Sequence, residues 1–279
     1  MIKFIKLHGK NLNPVSSLRS IYQYKDLLWQ LLQRNVQAKY KGTLLGAIWM
    51  IITPVLMLSV YTFVFSVILK VRWGSSVDDS KMGFALTIFC GLAVFNIFSE
   101  SINSSTGIIT CNQNYVKKVI FPLETLPVAS VLSALFFGLI WLIILLAAIL
   151  VFMHKLYFTT VALPIVLLPL LLLSCGISFF TSSLGVFYRD IQHVVAILLQ
   201  ILFFLTPIFY PIIAVPELFR KIIYLNPMAG IVQSARNILI FNSWPNWGSL
   251  LISLALSLFI FQAGYFWFMK TKKGFADVL

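Results

Sequence analysis

Charge is what this sequence lacks most. Of 279 residues, 8 are aspartate or glutamate, and charged residues of both signs make up only 10% of the chain. A soluble domain carries roughly 25%, so an ordinary cytosolic enzyme, a disordered chain and a collagen-like repeat are excluded at once. Cysteine is scarce as well. Cys90, Cys111 and Cys175 are an odd set scattered in or beside apolar runs, without CxxC or Cys/His spacing, which points to small buried hydrophobes and not to a disulfide framework or zinc site. No GxxxxGK[ST] is present, so no P-loop nucleotide site is expected. GxSxG and HExxH are missing too, and no paired aspartates sit at a span end, which argues against catalysis. Nor does an apolar signal core lie near Met1, where about forty mostly polar residues follow.

What fills the chain is apolar: 60% hydrophobic residues, 25 of them phenylalanine. Long uncharged runs without alternation predict spanning helices and not a lipid-facing barrel. Such runs occupy 42–69, 82–99, 125–153, 156–188, 191–216, 222–235 and 237–269. A span needs about 20 residues to cross the hydrocarbon core. Six runs qualify; 222–235 is too short and is interrupted at Asn226–Pro227.

Basic residues orient the spans. With six spans and the N-terminus inside, 14 of the 21 lysines and arginines fall on the cytoplasmic side and seven outside. A seventh span would put Lys270, Lys272 and Lys273 outside, against that bias. The expected fold is therefore an all-α integral membrane protein of six transmembrane helices with both termini cytoplasmic. It divides into an N-terminal segment at 1–43, one six-helix membrane domain at 44–270 and a tail at 271–279. The 212–247 segment is expected outside, partly re-entrant. The net charge of +13 is read as topology and lipid attraction, so no nucleic-acid partner is expected.

Four segments carry polar or conformational signals. In 22–41, Leu28, Leu32, Val36 and Tyr40 recur every four residues opposite Asp26, Gln30, Gln33, Gln37 and Lys41. This is an amphipathic helix suited equally to a lipid surface and to a partner protein. Along 96–110, Asn96, Ser99, Glu100, Asn103, Gly107 and Thr110 form a polar stripe on one helix face. Glu100 there is either interhelical glue or part of a pathway. The 112–126 loop carries Lys117–Lys118, which serve topology or press on a partner, and Pro122 and Pro127 sit where proline suits a helix start. Finally, Pro207 and Pro211 break the 191–216 run beside Phe203, Phe204, Phe209 and Tyr210. Those rings are an interfacial belt or a set of stacking faces for sugars.

Taken in order, the motifs resemble one family. LLQRNVQAKYKGTLLGAIWMIITPVLMLSVYTFVFSVIL is similar to the interface helix and first span of type-2 ABC exporter permeases that move polysaccharides. GLAVFNIFSESINSS leading to YVKKVIFPLETLPV resembles their second span and cytoplasmic loop. VFYRDIQHVVAILLQILFFLTPIFYP and YLNPMAGIVQSARNILI resemble the fifth span and the external loops after it. The resemblance runs from about residue 24 to 270.

It implies a homodimer in the bacterial inner membrane, paired with two copies of a P-loop ATPase that binds ATP and Mg, with no cofactor in this chain. It implies a lipid-linked polysaccharide cargo, O-antigen first, with capsule, teichoic acid or a hydrophobic drug as alternatives. Arg34, Lys39, Tyr40, Lys117 and Lys118 would contact the ATPase. Tyr61, Phe65, Asn96, Glu100, Asn103 and Phe204 would line the route, and Pro207, Tyr210, Asn226 and Pro227 would form the external gate. One departure stands out: Arg34–Asn35 replaces the family's common Arg-Asp, which removes a possible ion pair. A membrane-embedded glycan acyltransferase is the alternative from another class, with only Asp190 and His193 to offer as catalytic groups.

Overall fold

The computed structural model describes residues 22–68, 81–117, 121–212 and 215–279, and the described residues are helical with no strand among them. Helix α1 covers Lys25–Tyr40; α2 covers Trp49–Tyr61 and continues as a π-helical stretch through Thr62–Ile68. Helices α3 (Lys81–Thr106), α4 (Thr125–Met153) and α5 (Leu163–Phe187) follow. Helix α6 covers Ile191–Leu205, α7 Glu217–Leu225, α8 Pro227–Leu239 and α9 Trp247–Thr271.

Among the described residues, five helical segments are long and apolar enough to cross a membrane: Gly46–Val64, Met82–Thr106, Thr125–Met153, Phe158–Phe187 and Trp247–Val278. The remaining expected span is the 15-residue apolar α6, which stops where Pro207 and Pro211 withdraw two amide donors. The expected run 125–153 returns with the same limits, since Glu124 and His154 bracket it and His154 ends it in a left-handed conformation (φ 51°).

Helix α3 is the hub. It packs on α2, α4, α5, α6 and α8, and nearly every side chain from Phe84 to Phe98 is buried. A bilayer gives apolar side chains no reason to leave lipid, so close approach depends on small residues. The α5–α9 pair shows this: Ser174, Gly176, Ser178 and Ser182 of α5 are turned inward, as are Ser253, Ser257 and Gly264 of α9. A methyl group at Gly176 would sit 2.6 Å from the Phe261 amide nitrogen, and one at Gly264 would strike the Gly176 carbonyl. The two backbones touch directly.

A second apolar cluster lies at the end of the bundle that carries α1 and the C-terminal residues. Leu28 and Leu31 of α1 meet Ile109, Leu123, Phe179, Phe268 and the fully buried Phe275 there. Within the expected tail at 271–279, the short helix Phe275–Val278 packs into this core through Phe275. Beside it, Lys272 donates to Glu124 at 2.6 Å, with the carboxylate at the α4 N-terminus, where the helix dipole favours it. Their side chains are 21% and 9% exposed. Replacing Lys272 with Met leaves that carboxylate enclosed without its cation, and the expected cost is about 1–3 kcal/mol. Thermal unfolding of the purified chain in detergent should move down by several degrees, while Lys273→Met, at an exposed position, should leave it unchanged. Equal midpoints for the two variants would refute the pair's role.

Candidate functional site

The polar stripe holds from Asn96 to Asn103, where it faces outward from the hub; Gly107 and Thr110 fall beyond the end of α3 at Thr106, and Gly107 is buried. Asn96, Ser99 and Glu100 are half-buried and Asn103 and Ser104 exposed, while the opposite face carries buried Ile97, Phe98 and Ile102. Hydroxyls on this segment fold back on their own helix, as Ser104 does to the Glu100 carbonyl at 2.6 Å. The carboxylate and amides are left to the surface of a groove.

That groove, about 520 Å³, runs between the α1–α2 junction, α3 and α4. Its polar wall is Lys39, Thr43, Thr53, Asn96, Ser99 and Glu100; its aromatic wall is Tyr40, Trp49, Phe137 and Trp141. A smaller hollow of about 210 Å³ shares Lys39 and Glu100 and continues to Asn35 and Ser133. On the other flank of the stripe, Asn103, Ser104, Gly107, Cys111 and Gln192 of α6 enclose a third space of about 370 Å³.

Lys39 and Glu100 are 61 positions apart, and the sequence reading gave them separate roles. They are one ion pair, Lys39 Nζ donating to Glu100 Oε1 at 2.7 Å. The ammonium also stands 4.3 Å from the centre of the Phe137 ring, a cation–π arrangement. Tyr40 meets the same ring edge-on at 5.7 Å. Burial pushes the Tyr40 phenol above its ordinary value, so it stays a neutral hydroxyl, with Lys39 opposing and Glu100 reinforcing that shift.

The proposed partner-contact residues are thus divided. Lys39 and Tyr40 turn to the groove. Arg34 donates to the Tyr115 hydroxyl at 3.1 Å, and Tyr115 stacks on Phe121 at 4.4 Å. Lys117 donates to the Leu279 carbonyl, and Lys118 lies outside the described residues. Asn35, where the family resemblance expects aspartate, reaches inward to Ser133 of α4 at 3.3 Å. An aspartate there would meet a hydroxyl inside the chain and not a partner.

Other route residues are not gathered at the groove. Tyr61 is half-buried against the main core, and Phe204 is exposed on α6, edge-on to Phe203 at 5.4 Å. Phe65 lies in the π-helical stretch, its side chain outside the described part. Trp49, Phe137 and Trp141 were missed, because an aromatic within an apolar run carries no mark of the face it occupies.

At the far end, the residues expected at the gate lie on the segment after α6 and at the start of α8, which Asn226 links through Thr206. Asn226 caps α8 by accepting from the Met228 amide at 3.0 Å, Pro227 takes the first helical position, and the Asn226 amide donates to Thr206 Oγ1 at 3.1 Å. Tyr210 donates to the Phe204 carbonyl at 3.0 Å. The Pro207 carbonyl accepts from Arg236, a residue the sequence reading did not single out.

Apolar spans around an aromatic, hydroxyl-rich groove describe a multi-pass membrane transport protein. The chain belongs to the ABC-2 type transporter family, whose pattern matches residues 26–240. It is 28% identical to the O-antigen export system permease protein RfbA of Myxococcus xanthus over 93% of this chain and 98% of that protein. A protein of the same name from Klebsiella pneumoniae is 27% identical over 91% and 95%. The polysialic acid transport protein KpsM of Escherichia coli is 28% identical over 74% and 78%. Membership makes the chain a transporter permease and implies an ABC ATPase as its partner; it sets the acyltransferase alternative aside.

Proposed function

We propose that this chain is the membrane permease of an ATP-driven exporter that carries lipid-linked polysaccharide, O-antigen first, across the bacterial inner membrane. The observation that carries the reading is the near full-length likeness to proteins named O-antigen export permeases. The groove supports it chemically. Rings at Tyr40, Trp49, Phe137 and Trp141 offer flat apolar faces, and Asn96, Ser99 and Thr53 offer donors and acceptors. Weak contacts of both kinds suit a polymer that must slide on. The likeness to a polysialic acid transport protein favours capsule as the second reading of the cargo.

In this reading the permease domain covers 44–270 and has six spans, α6 being the fifth. Both termini are cytoplasmic, and α7 and α8 form re-entrant gate helices outside. Two copies enclose the route, with Tyr61, Phe65, Asn96, Glu100, Asn103 and Phe204 on it. Two ATPase subunits bind ATP and Mg and push on α1 and the 112–126 loop; of the five residues expected at that contact, Arg34, Lys117 and Lys118 make it, since Lys39 and Tyr40 turn to the groove. The chain itself needs no cofactor and no nucleic acid.

Affinity purification from native membranes in mild detergent tests the partnership: a stoichiometric P-loop ATPase is expected, and its absence under conditions that preserve known complexes removes the energy source. Exchange of Lys117 and Lys118 for Glu should then leave ATP hydrolysis running while export of surface glycan falls by about tenfold or more. Unchanged surface glycan in that variant refutes the loop's coupling role.

A further inference from the structure

Arg236 is fully buried near the C-terminal end of α8, among apolar neighbours. Its guanidinium reaches three main-chain carbonyls on two other segments. Nε donates to Thr87 of α3 at 3.0 Å, Nη1 to Pro207 at 2.6 Å and Nη2 to Ile208 at 2.6 Å. Pro207 and Ile208 lie just beyond the end of α6, where the helix ladder has stopped and carbonyls need donors from elsewhere. A cation at a helix C-terminus is also favoured by the dipole. The planar fork of arginine can serve two adjacent carbonyls and a third at once, a geometry no other side chain reproduces.

The fold makes room for this arrangement at Gly91. A methyl group there would sit 2.8 Å from Arg236 Nη2 and 3.4 Å from Ile208 Cγ2. Helix α8 is itself fixed along its length. The Thr159 hydroxyl donates to the Ile238 carbonyl at 2.6 Å, Ser253 to Pro227 at 3.4 Å, and Asn226 holds Thr206. The α6 break is therefore fastened to α8 at both ends of that helix, Thr206 by the cap and Pro207–Ile208 by the arginine. Phe203, Phe204, Phe209 and Tyr210 hang from this fastened segment.

From this geometry we infer that Arg236 is a positioning residue for export: it clamps the break in α6 to α3 and α8 and so sets the aromatic constriction at the outer mouth. The inference rests on the proposed orientation, in which the α6–α8 end faces outward. The last turn of α6, the 206–210 segment and α8 then move as one body when the transporter opens.

Cys90 supplies a native reporter. It is buried beside Gly91, whose added methyl would meet Arg236 Nη2. The permease–ATPase complex is produced with Cys111 and Cys175 changed to Ser, so that Cys90 is the one thiol of the permease chain, whose labelling is read after that chain is isolated; intact cells are treated with a membrane-impermeant maleimide. Arg236→Met and Gly91→Ala are both expected to raise Cys90 labelling by about tenfold, because the clamp no longer closes the segment. Glycan export should fall in parallel, while the amount of complex in the membrane and its basal ATP hydrolysis stay at the parent level. Arg236→Lys keeps the charge without the fork, and its labelling should fall between parent and Met.

If Arg236→Met does not accumulate, Gly91→Ala decides by itself. Parent-level labelling and export in a variant that accumulates overturn the clamp. A separate Ser243→Cys variant in the loop before α9 reports orientation. Labelling of that residue in intact cells supports the outward assignment. Labelling only after permeabilisation overturns the orientation, and the clamp is then judged by Cys90 labelling in permeabilised membranes.

Discussion

Leucine in place of Gly264 is expected to leave almost no folded permease. The reason is backbone and not side-chain crowding. The first carbon of any side chain at 264 would collide with the Gly176 carbonyl, and the mirror-image change at Gly176 drives into the Ile260 carbonyl and the Phe261 amide at 2.6–2.7 Å. A rotamer change relieves neither clash; the helices must separate. Helices α5 and α9 share an extensive contact lined by buried serines, with Ser183 and Thr271 hydroxyls 2.7 Å apart at its terminal end. Separation forfeits that packing and leaves those hydroxyls in lipid. The expected loss is about 4 kcal/mol or more, at the upper end of what overpacking costs. Size-exclusion chromatography of detergent extracts should show loss of the monodisperse peak for Gly264→Leu, and a reduced peak for Gly264→Ala. Gly274→Ala, whose added methyl would meet nothing nearer than 3.9 Å, should behave as the parent. A normal peak and melting point for Gly264→Leu would show that this crossing is not close-packed.

Loss of the groove ion pair should cost transport while leaving the fold intact. Lys39 and Glu100 are 37% and 47% exposed at their side chains, so the pair adds little to stability, within the roughly 0–1 kcal/mol of exposed pairs. Its expected importance is in coupling: it joins the helix that precedes the first span to the polar stripe of the hub. Lys39→Glu sets two carboxylates where one bond stood, next to the Phe137 ring that the cation occupied. Export should drop by about tenfold, or roughly 1.4 kcal/mol, with the protein still present in the membrane. The double change Lys39→Glu with Glu100→Lys restores opposite charges and should recover most of the export. If Lys39 acts by touching the ATPase, or Glu100 by touching cargo, the swap will not rescue, and the pair loses its function as a link.

Much of the architecture was readable because a bilayer is an exacting solvent. The run 125–153 became α4 residue for residue, since charged or strongly polar neighbours end it on both sides. The stripe of Asn96, Ser99, Glu100 and Asn103 lies on an accessible face, as its three- and four-residue spacing required. Pro207 and Pro211 stop α6, and Asn226–Pro227 divides α7 from α8, for reasons local to those residues. The packing of the terminal segment left no mark in the sequence: Phe275 reads as one more aromatic until its neighbours from α5 and α9 surround it.

What the sequence determined by itself is what depends on near neighbours and on solvent: apolar length, charge asymmetry, helix breaks and caps, and the polarity of one face. What only the tertiary structure decided is which distant groups meet. Lys39 finds Glu100 across 61 residues, Arg236 finds Thr87 across 149, and Gly264 faces Gly176. None of these pairs leaves a periodic trace, because the contact depends on how two helices cross and rotate. That crossing is settled by close packing summed over many side chains, not by the residues at the point of contact.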